Sequence, residues 1–275
     1  MAVVTSYRFL PMPGLVGDNK VSFLSDTIAL VSNPEEPNLY ELDINTGMLN
    51  LVQTDIEFAT VIDGMVWAST PEQNMVILDP DDDYQIVREF GFMEFSNIIE
   101  VNIPTAGRFV LVMLFDQVFD IYDLNGTHLQ SYNLRNIVID ATRWVLTLGP
   151  IVNSRGDIIF WSTTADNTNQ GLIVIPAVTG PLLYDLDAAF VLTTNELRTN
   201  GSGVLPVIDS DDSFWTVNGR SLDHFSPDGE PLESFRLQMD LHRLESISPR
   251  GNFVFLYTDA EDELDWGLML VNFPR

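Results

Sequence analysis

The sequence predicts an all-β fold in which one sheet unit is repeated around a ring. Three observations carry this reading. A short apolar strand, a tight turn and a departing strand recur as Leu39–Gly47, Val76–Asp83, Asp120–Gly126, Ile173–Gly180 and Asp223–Gly229. A second apolar strand precedes each copy, at Thr27–Val31, Met65–Ser69, Arg108–Met113, Asp157–Trp161 and Ser213–Val217, with a sixth at Asn252–Tyr257. These runs are nearly continuous in apolar residues, the pattern of strands covered on both faces. Self-similarity at a period of about 45 residues marks a radial repeat protein, whose sheets bury their faces against one another.

Each element has a local reason. Asp63-Gly64, Ala106-Gly107, Arg155-Gly156, Asp211-Asp212 and Arg250-Gly251 stand before second strands, and such residues accept the positive φ of a tight turn. Six units then fit the length, at 20–56, 57–93, 94–134, 135–187, 188–237 and 238–275. The last unit lacks an outermost strand. The N-terminus has one to spare in Val3–Leu10, followed by the breaker Pro11-Met12-Pro13-Gly14. Pairing Val3–Leu10 with Leu268–Phe273 would close the ring and remove an exposed edge. The prediction is a six-bladed β-propeller, one domain over 1–275, with the N-terminal strand closing the last blade. Leu186–Glu196 is the one segment read as holding a helical turn. A two-sheet sandwich is the alternative, but about eighteen to twenty strand candidates are too many for it.

Two segments carry a resemblance. Phe225-Ser226-Pro227-Asp228-Gly229-Glu230-Pro231-Leu232 and Ile247-Ser248-Pro249-Arg250-Gly251-Asn252-Phe253 resemble turn signatures of six-bladed propellers of the NHL and TolB-like kind. The resemblance implies the fold. It identifies no functional family, because such propellers include hydrolases, lactonases and binding modules.

Composition narrows the function classes. Hydrophobic residues make up 45% of the 275, with 17 Phe, 7 Tyr and 5 Trp, enough for a dry core. Forty acidic against 13 basic residues give a net charge of −27, and Lys20 is the one lysine. That charge repels nucleic acid and anionic membrane surfaces. It also favours a saline setting, since salt screens self-repulsion. No apolar run reaches the roughly 18 residues of a membrane span, so no membrane insertion is expected. Met1–Arg8 shows no signal peptide, and an extracellular or virion location is favoured. Without cysteine there are no disulfides, thiolate metal sites or cysteine catalysis.

Motifs for chemistry are sparse. Asp79–Asp83 could take Ca²⁺, yet it lacks the glycine and distal glutamate of an EF-hand loop. Asp209–Asp212 and Asp259–Asp265 read the same way. His128, His224 and His242 form no metal-ligand pattern. Gly201-Ser202-Gly203 lacks the spacing of a nucleophile elbow. With 40 acids, any carboxylate pair arises by chance. Trp67, Trp161 and Trp215 hold equivalent places in three units and should fill space between blades. Trp266 follows an acidic loop and is the best exposed aromatic for a partner. The interaction residues are therefore Asp259, Glu261, Asp262, Glu263, Asp265 and Trp266, with Pro34–Pro37 and Ala165–Gly171 as further contact loops.

No catalytic or cofactor-binding residue is assigned. The expectation is a non-enzymatic structural propeller that binds other protein subunits in a larger extracellular or virus-like particle, as a spike, tail or surface protein. The alternative is a propeller enzyme, a Ca²⁺-assisted hydrolase with its site in the central channel. Its polar groups would be Asn19, Asp63, Asn102, Asn153 and Asp209, placed at the starts of innermost strands, though the same residues read equally as turn residues.

Overall fold

The computed structural model describes residues 2–3, 7–11, 19–115, 117–135, 137–166, 169–193, 206–218, 221–236, 243–247, 253–258 and 266–271. Val, Ile, Phe and Leu runs form strands there because branched and aromatic side chains suit a pleated, half-buried surface. Strand β1 is Ala2–Val3 and β2 is Tyr7–Pro11. One sheet holds β3 (Lys20–Phe23), β4 (Ile28–Asn33), β5 (Asn38–Asp43) and β6 (Leu49–Thr54) in chain order. The next holds β7 (Phe58–Ile62), β8 (Met65–Ser69), β9 (Asn74–Asp79) and β10 (Gln85–Phe92). A third holds β11 (Phe95–Ile103), β12 (Gly107–Leu114), β13 (Val118–Tyr122) and β14 (His128–Asn133). The fourth has five strands: β15 (Val138–Ile139), β16 (Thr142–Val152), β17 (Ile158–Thr164), β18 (Gln170–Ile175) and β19 (Phe190–Thr193). The fifth holds β20 (Val207–Ile208), β21 (Phe214–Asn218), β22 (Ser221–Phe225) and β23 (Pro231–Arg236), with β1 at its edge. The sixth runs β2, β26 (Trp266–Val271), β25 (Phe253–Thr258), β24 (Arg243–Ile247). Among the described residues the only helical segment is one 3-10 turn, Pro80–Asp82, and no helix is long and apolar enough to cross a membrane.

Two compact units divide the chain, Val3–Glu94 with Gln238–Arg275, and Met1–Ala2 with Phe95–Leu237. In the first, Leu30 and Leu39 of the β3–β6 sheet pack with Val66, Ala68, Val76 and Leu78 of the β7–β10 sheet. On its other face the β3–β6 sheet packs Ala29, Val31 and Leu42 against Val254, Leu268 and Leu270. In the second unit, Val101, Leu111 and Phe119 meet Ile158, Phe160 and Ile173. The opposite face of the β15–β19 sheet sets Ile159, Trp161 and Val174 against Phe214 and Phe225. Successive residues of one strand thus serve different cores, which is why the sequence runs were apolar without alternation. Trp67, Trp161 and Trp215 are all buried. Trp161 fills the space between the fourth and fifth sheets, as expected.

The N-terminal strand pairs with the end of the chain, with a correction. Val3–Leu10 was expected against Leu268–Phe273. Tyr7–Pro11 in fact lies antiparallel to Gly267–Val271, with Leu10 opposite Leu268, while Ala2–Val3 belongs to another sheet edge. Pro11, read as a breaker, is part of the strand. It is tolerated because β2 is an outer strand whose far side needs no ladder donor.

The fourth unit also differs from its expected limit at 187. After β18 the chain makes a long excursion, held by an Ala177–Tyr184 bridge, before β19 pairs with β18. Phe190–Thr193 is strand rather than the helical turn read over Leu186–Glu196, in keeping with the β preference of Phe, Val and Thr.

The repeated hairpin has a common physical basis. In Asp123–Thr127, Ser226–Glu230, Asn153–Asp157, Asp209–Ser213 and Thr70–Asn74, the first N–H bonds the fifth carbonyl and the fourth N–H bonds the first carbonyl. The fourth residue always has positive φ: Gly126, Gly229, Gly156, Asp212 and Gln73. This is a three-residue loop with a left-handed closing residue. First-position side chains accept the spare N–H groups, as Asp123 does from Thr127 at 2.7 Å. In a related turn the Asp43 carboxylate accepts from Asn45 at 2.7 Å and Thr46 at 3.0 Å.

Two outcomes follow from this framework. Leu10 is buried among Ala29, Val254 and Leu268, so Leu10→Ala should cost about 2–5 kcal/mol by urea unfolding. A loss under about 1 kcal/mol would mean that β2 is dispensable. The second concerns pH. Backbone N–H groups of Thr46 and Asn45 hold the Asp43 carboxyl below its ordinary 3.8. A depressed folded pKa stabilises fully above the ordinary value and is lost as pH falls through the folded one. The melting-temperature gap between wild type and Asp43→Ala should therefore be widest near neutrality and narrow below about pH 4. Both proteins share the general effect of discharging the surface, so a gap that does not vary with pH would contradict the assignment.

Candidate functional site

Sheet ends built from regular turns leave little room for a ligand. Among the described residues of the second unit, the long departure from the repeat is the excursion between β18 and β19. Pro176, Ala177, Val178, Thr179 and Phe190 of that segment face Ile103, Pro104 and Thr105 of the β11–β12 turn, and Arg155 and Asp157 of the β16–β17 turn. Together they line a cavity of about 790 Å³. A smaller cavity of about 230 Å³ adjoins it, sharing Arg155 and Phe190, with Asn153, Asp212 and Asp228 on its wall.

The 153–157 turn is clamped from several sides. Asn153 Oδ1 accepts the N–H groups of Arg155 at 3.1 Å and Asp157 at 2.9 Å. Asp157 Oδ2 accepts from Asn153 Nδ2 at 3.0 Å and from Arg155 Nε at 3.0 Å and Nη2 at 2.9 Å. Its Oδ1 accepts the Ala177 N–H at 3.0 Å, which ties the excursion to the turn. Asp212, from the β20–β21 turn, accepts the Ser154 N–H at 2.6 Å and hydroxyl at 2.7 Å. Beside it Asp211 is held below its ordinary pKa by the Ser213 hydroxyl and N–H. Tyr184 donates its hydroxyl to the Gly156 carbonyl at 3.0 Å. Burial, followed by the neighbouring Tyr132 and Asp157, pushes the Tyr184 ionisation far upward, so it stays a phenol able to donate.

Tyr184 is itself seated by β14. The Tyr132 hydroxyl accepts the N–H groups of Leu183 at 2.9 Å and Tyr184 at 3.1 Å. Gln130 Nε2 donates to the Pro181 carbonyl at 2.6 Å. Phe119, Tyr132 and Tyr184 pack as one aromatic cluster beneath. The clamp thus fixes a turn whose exposed product is one guanidinium, that of Arg155, between two cavities.

The residues read for a channel site fall mostly in turns, the other reading the sequence allowed them. Asn19 alone stands just before an innermost strand, β3, and it is buried. Asp63, Asn153 and Asp209 lie in the turns that follow innermost strands, and Asn102 is the penultimate residue of β11. Turn preference and channel lining draw on the same residue types, so sequence could not separate them. The structure brings the Asn153 and Asp209 turns together through Ser154 and Asp212. Asp259, Glu261, Asp262, Glu263 and Asp265 lie outside the described residues; Trp266 opens β26, paired with Thr258. His128 is in β14 and His224 in β22, stacked on Trp215, while His242 lies outside the described residues. Among the described residues no three Asp, Glu or His side chains converge on a point. In the acidic turn at Asp79, the carboxylate instead accepts the Asp81 N–H at 2.9 Å. Arg155, Asp157, Tyr184 and Phe190 were missed as site residues. Arg155-Gly156 was visible only as a turn.

Gly156 is where the clamp is tightest. Its φ is +83°, and an added Cβ would lie 2.8 Å from the Asn102 carbonyl oxygen and from Ile103 Cγ1. Gly64 has a similar φ of +78° with nothing within 4 Å. Gly64→Ala should lose about 1–2 kcal/mol from φ alone, and Gly156→Ala distinctly more. Equal losses by thermal unfolding would show that the turn is not pressed against β11.

No family model and no curated protein sequence matches the chain. Solved structures do match it along its length. A gluconolactonase from Xanthomonas campestris superposes with a TM-score of 0.60 at 10% identity, over 98% of this chain and 91% of that one. A streptogramin B lyase gives 0.59 at 12%, over 97% and 98%. Regucalcin, a calcium-binding protein from Agrobacterium tumefaciens, gives 0.57 at 13%, over 100% and 97%. Two of these three are named as enzymes and none as a particle component, so the expectation of a non-enzymatic spike, tail or surface subunit does not stand. The chain has the all-β, β-propeller fold that these structures share.

Proposed function

We propose that the chain is a single-domain propeller enzyme, its six sheets serving as blades, that acts on a small organic ester or lactone. The observation that carries this reading is the fold likeness, over nearly the whole of each chain, to a gluconolactonase and a lyase. The cavity at Arg155 supports it with a concave site of ordinary ligand size. Asp157 and Asp212 are occupied as acceptors for the clamp. Asp228 lines the smaller cavity and is exposed, which leaves it as the carboxylate able to take a proton. In hydrolysis Asp228 takes a proton from water as the water oxygen bonds the acyl carbon. The negative charge that forms on the carbonyl oxygen is met by Arg155. The carbonyl then re-forms, the ester bond breaks, and the alcohol leaves with the proton from Asp228.

The test is turnover by the full chain on a panel of lactones and aryl esters. Asp228→Asn should lower kcat by about 100-fold or more without shifting the melting temperature. An inactive wild type, or a fully active Asp228→Asn, would overturn the proposal.

A further inference from the structure

We infer that the cavity at Arg155 holds a small organic carboxylate with an apolar body, the acid product released by that hydrolysis; the inference rests on the enzyme reading above and narrows its substrate. Arg155 donates Nε and Nη2 to the same oxygen of Asp157, at 3.0 and 2.9 Å. Its remaining nitrogen, Nη1, is therefore the end of the guanidinium left for a ligand. Asp157 does not compete for that role, because both of its oxygens already accept. It is a positioning residue that fixes the plane of the guanidinium, which lowers the ordering cost of binding.

The rest of the large cavity chooses the ligand's body. Ile103, Pro104, Pro176, Ala177, Val178 and Phe190 make most of its wall apolar, and among the described lining residues Thr105 and Thr179 supply the only hydroxyls. Phe190 is 42% exposed, a large aromatic face open to a ligand. A polyol placed there would leave most of its hydroxyls without partners, whereas an aliphatic or aromatic chain would cover the wall. Asp212 and Asp228 line only the smaller cavity, whereas Asp157 on the larger one is paired with Arg155, so like-charge repulsion turns the ligand's carboxylate toward the larger cavity. The substrate class is thus an apolar-bodied ester or lactone, unlike the sugar lactone in the name of the gluconolactonase.

Calorimetric titration of the full chain with 3-phenylpropionate, 3-phenyl-1-propanol and gluconate tests this. 3-Phenylpropionate should bind about tenfold or more tighter than either other probe. Arg155→Met should weaken the acid by about tenfold or more and leave the alcohol unchanged. Thr179→Trp, at an exposed position on the wall, should block both while the melting temperature holds. Equal binding of acid and alcohol, tighter binding of gluconate, or an Arg155→Met protein that binds the acid as wild type does would overturn the inference. Ester turnover with no acid binding at Arg155 would sink this inference and spare the enzyme. Acid binding as stated with no turnover of any ester would do the reverse.

Discussion

The β3–β6 and β15–β19 sheets are apolar on both faces, and the packing around them follows from that constraint. In β4, Ala29 and Val31 serve one core and Leu30 serves another. In β17, Ile158 and Phe160 serve one and Ile159 and Trp161 the other. Such a strand cannot stand at the surface, because either face left open would expose large side chains to water. A sheet so built needs a sheet on each side, and both of these sheets have one. The outer strands show the complement. In β10, Gln85 to Glu89 are all exposed, and no further sheet needs to cover them.

The acidity of the chain takes on a second meaning beside this. Many of its aspartates are hydrogen-bond acceptors for the turns that join strands. Asp43, Asp79, Asp123, Asp185 and Asp211 each accept a backbone N–H at the end of a strand or in a loop. A carboxylate accepts such bonds more strongly than a neutral oxygen. Part of the net charge of −27 is therefore the cost of turning the chain so often with aspartate. The sequence expectation treated that charge wholly as a surface property.

What was legible in the sequence was whatever depends on neighbours along the chain. In the second and third sheets the second strand fell within a residue of its expected limits, Met65–Ser69 and Arg108–Met113, against Met65–Ser69 and Gly107–Leu114 in the structure. The turns followed for the same reason, since Asp, Asn and Gly declare a positive φ locally. β19 was not legible, because nothing in Pro176–Ala189 says how far an excursion will run before a strand resumes. The Arg155 site was not legible either. Ser154 meets Asp212 58 residues away, and Leu183 meets Tyr132 51 away, so its geometry exists only after folding.

Repetition and function pull a sequence in opposite directions here. A turn that closes a hairpin in five residues satisfies its own donors and leaves no space, as at Asp123–Thr127. A cavity requires a segment that departs from the hairpin yet stays fixed, and such a segment needs anchors from elsewhere. The excursion after β18 has them: Asp157 takes its Ala177 N–H, Tyr132 takes Leu183 and Tyr184, and Tyr184 returns a bond to Gly156. The scaffold groups that hold it are the Asp157 carboxylate, the Tyr132 hydroxyl and the Gly156 carbonyl, all from the third or fourth sheet and its turns. The irregular wall is thus as well determined as the regular strands, though no part of it repeats. Arg155 sits where these anchors meet, in a five-residue turn whose backbone matches four others while its side chains do different work. The repeat supplies the position of that guanidinium, and the departure from the repeat supplies the space in front of it.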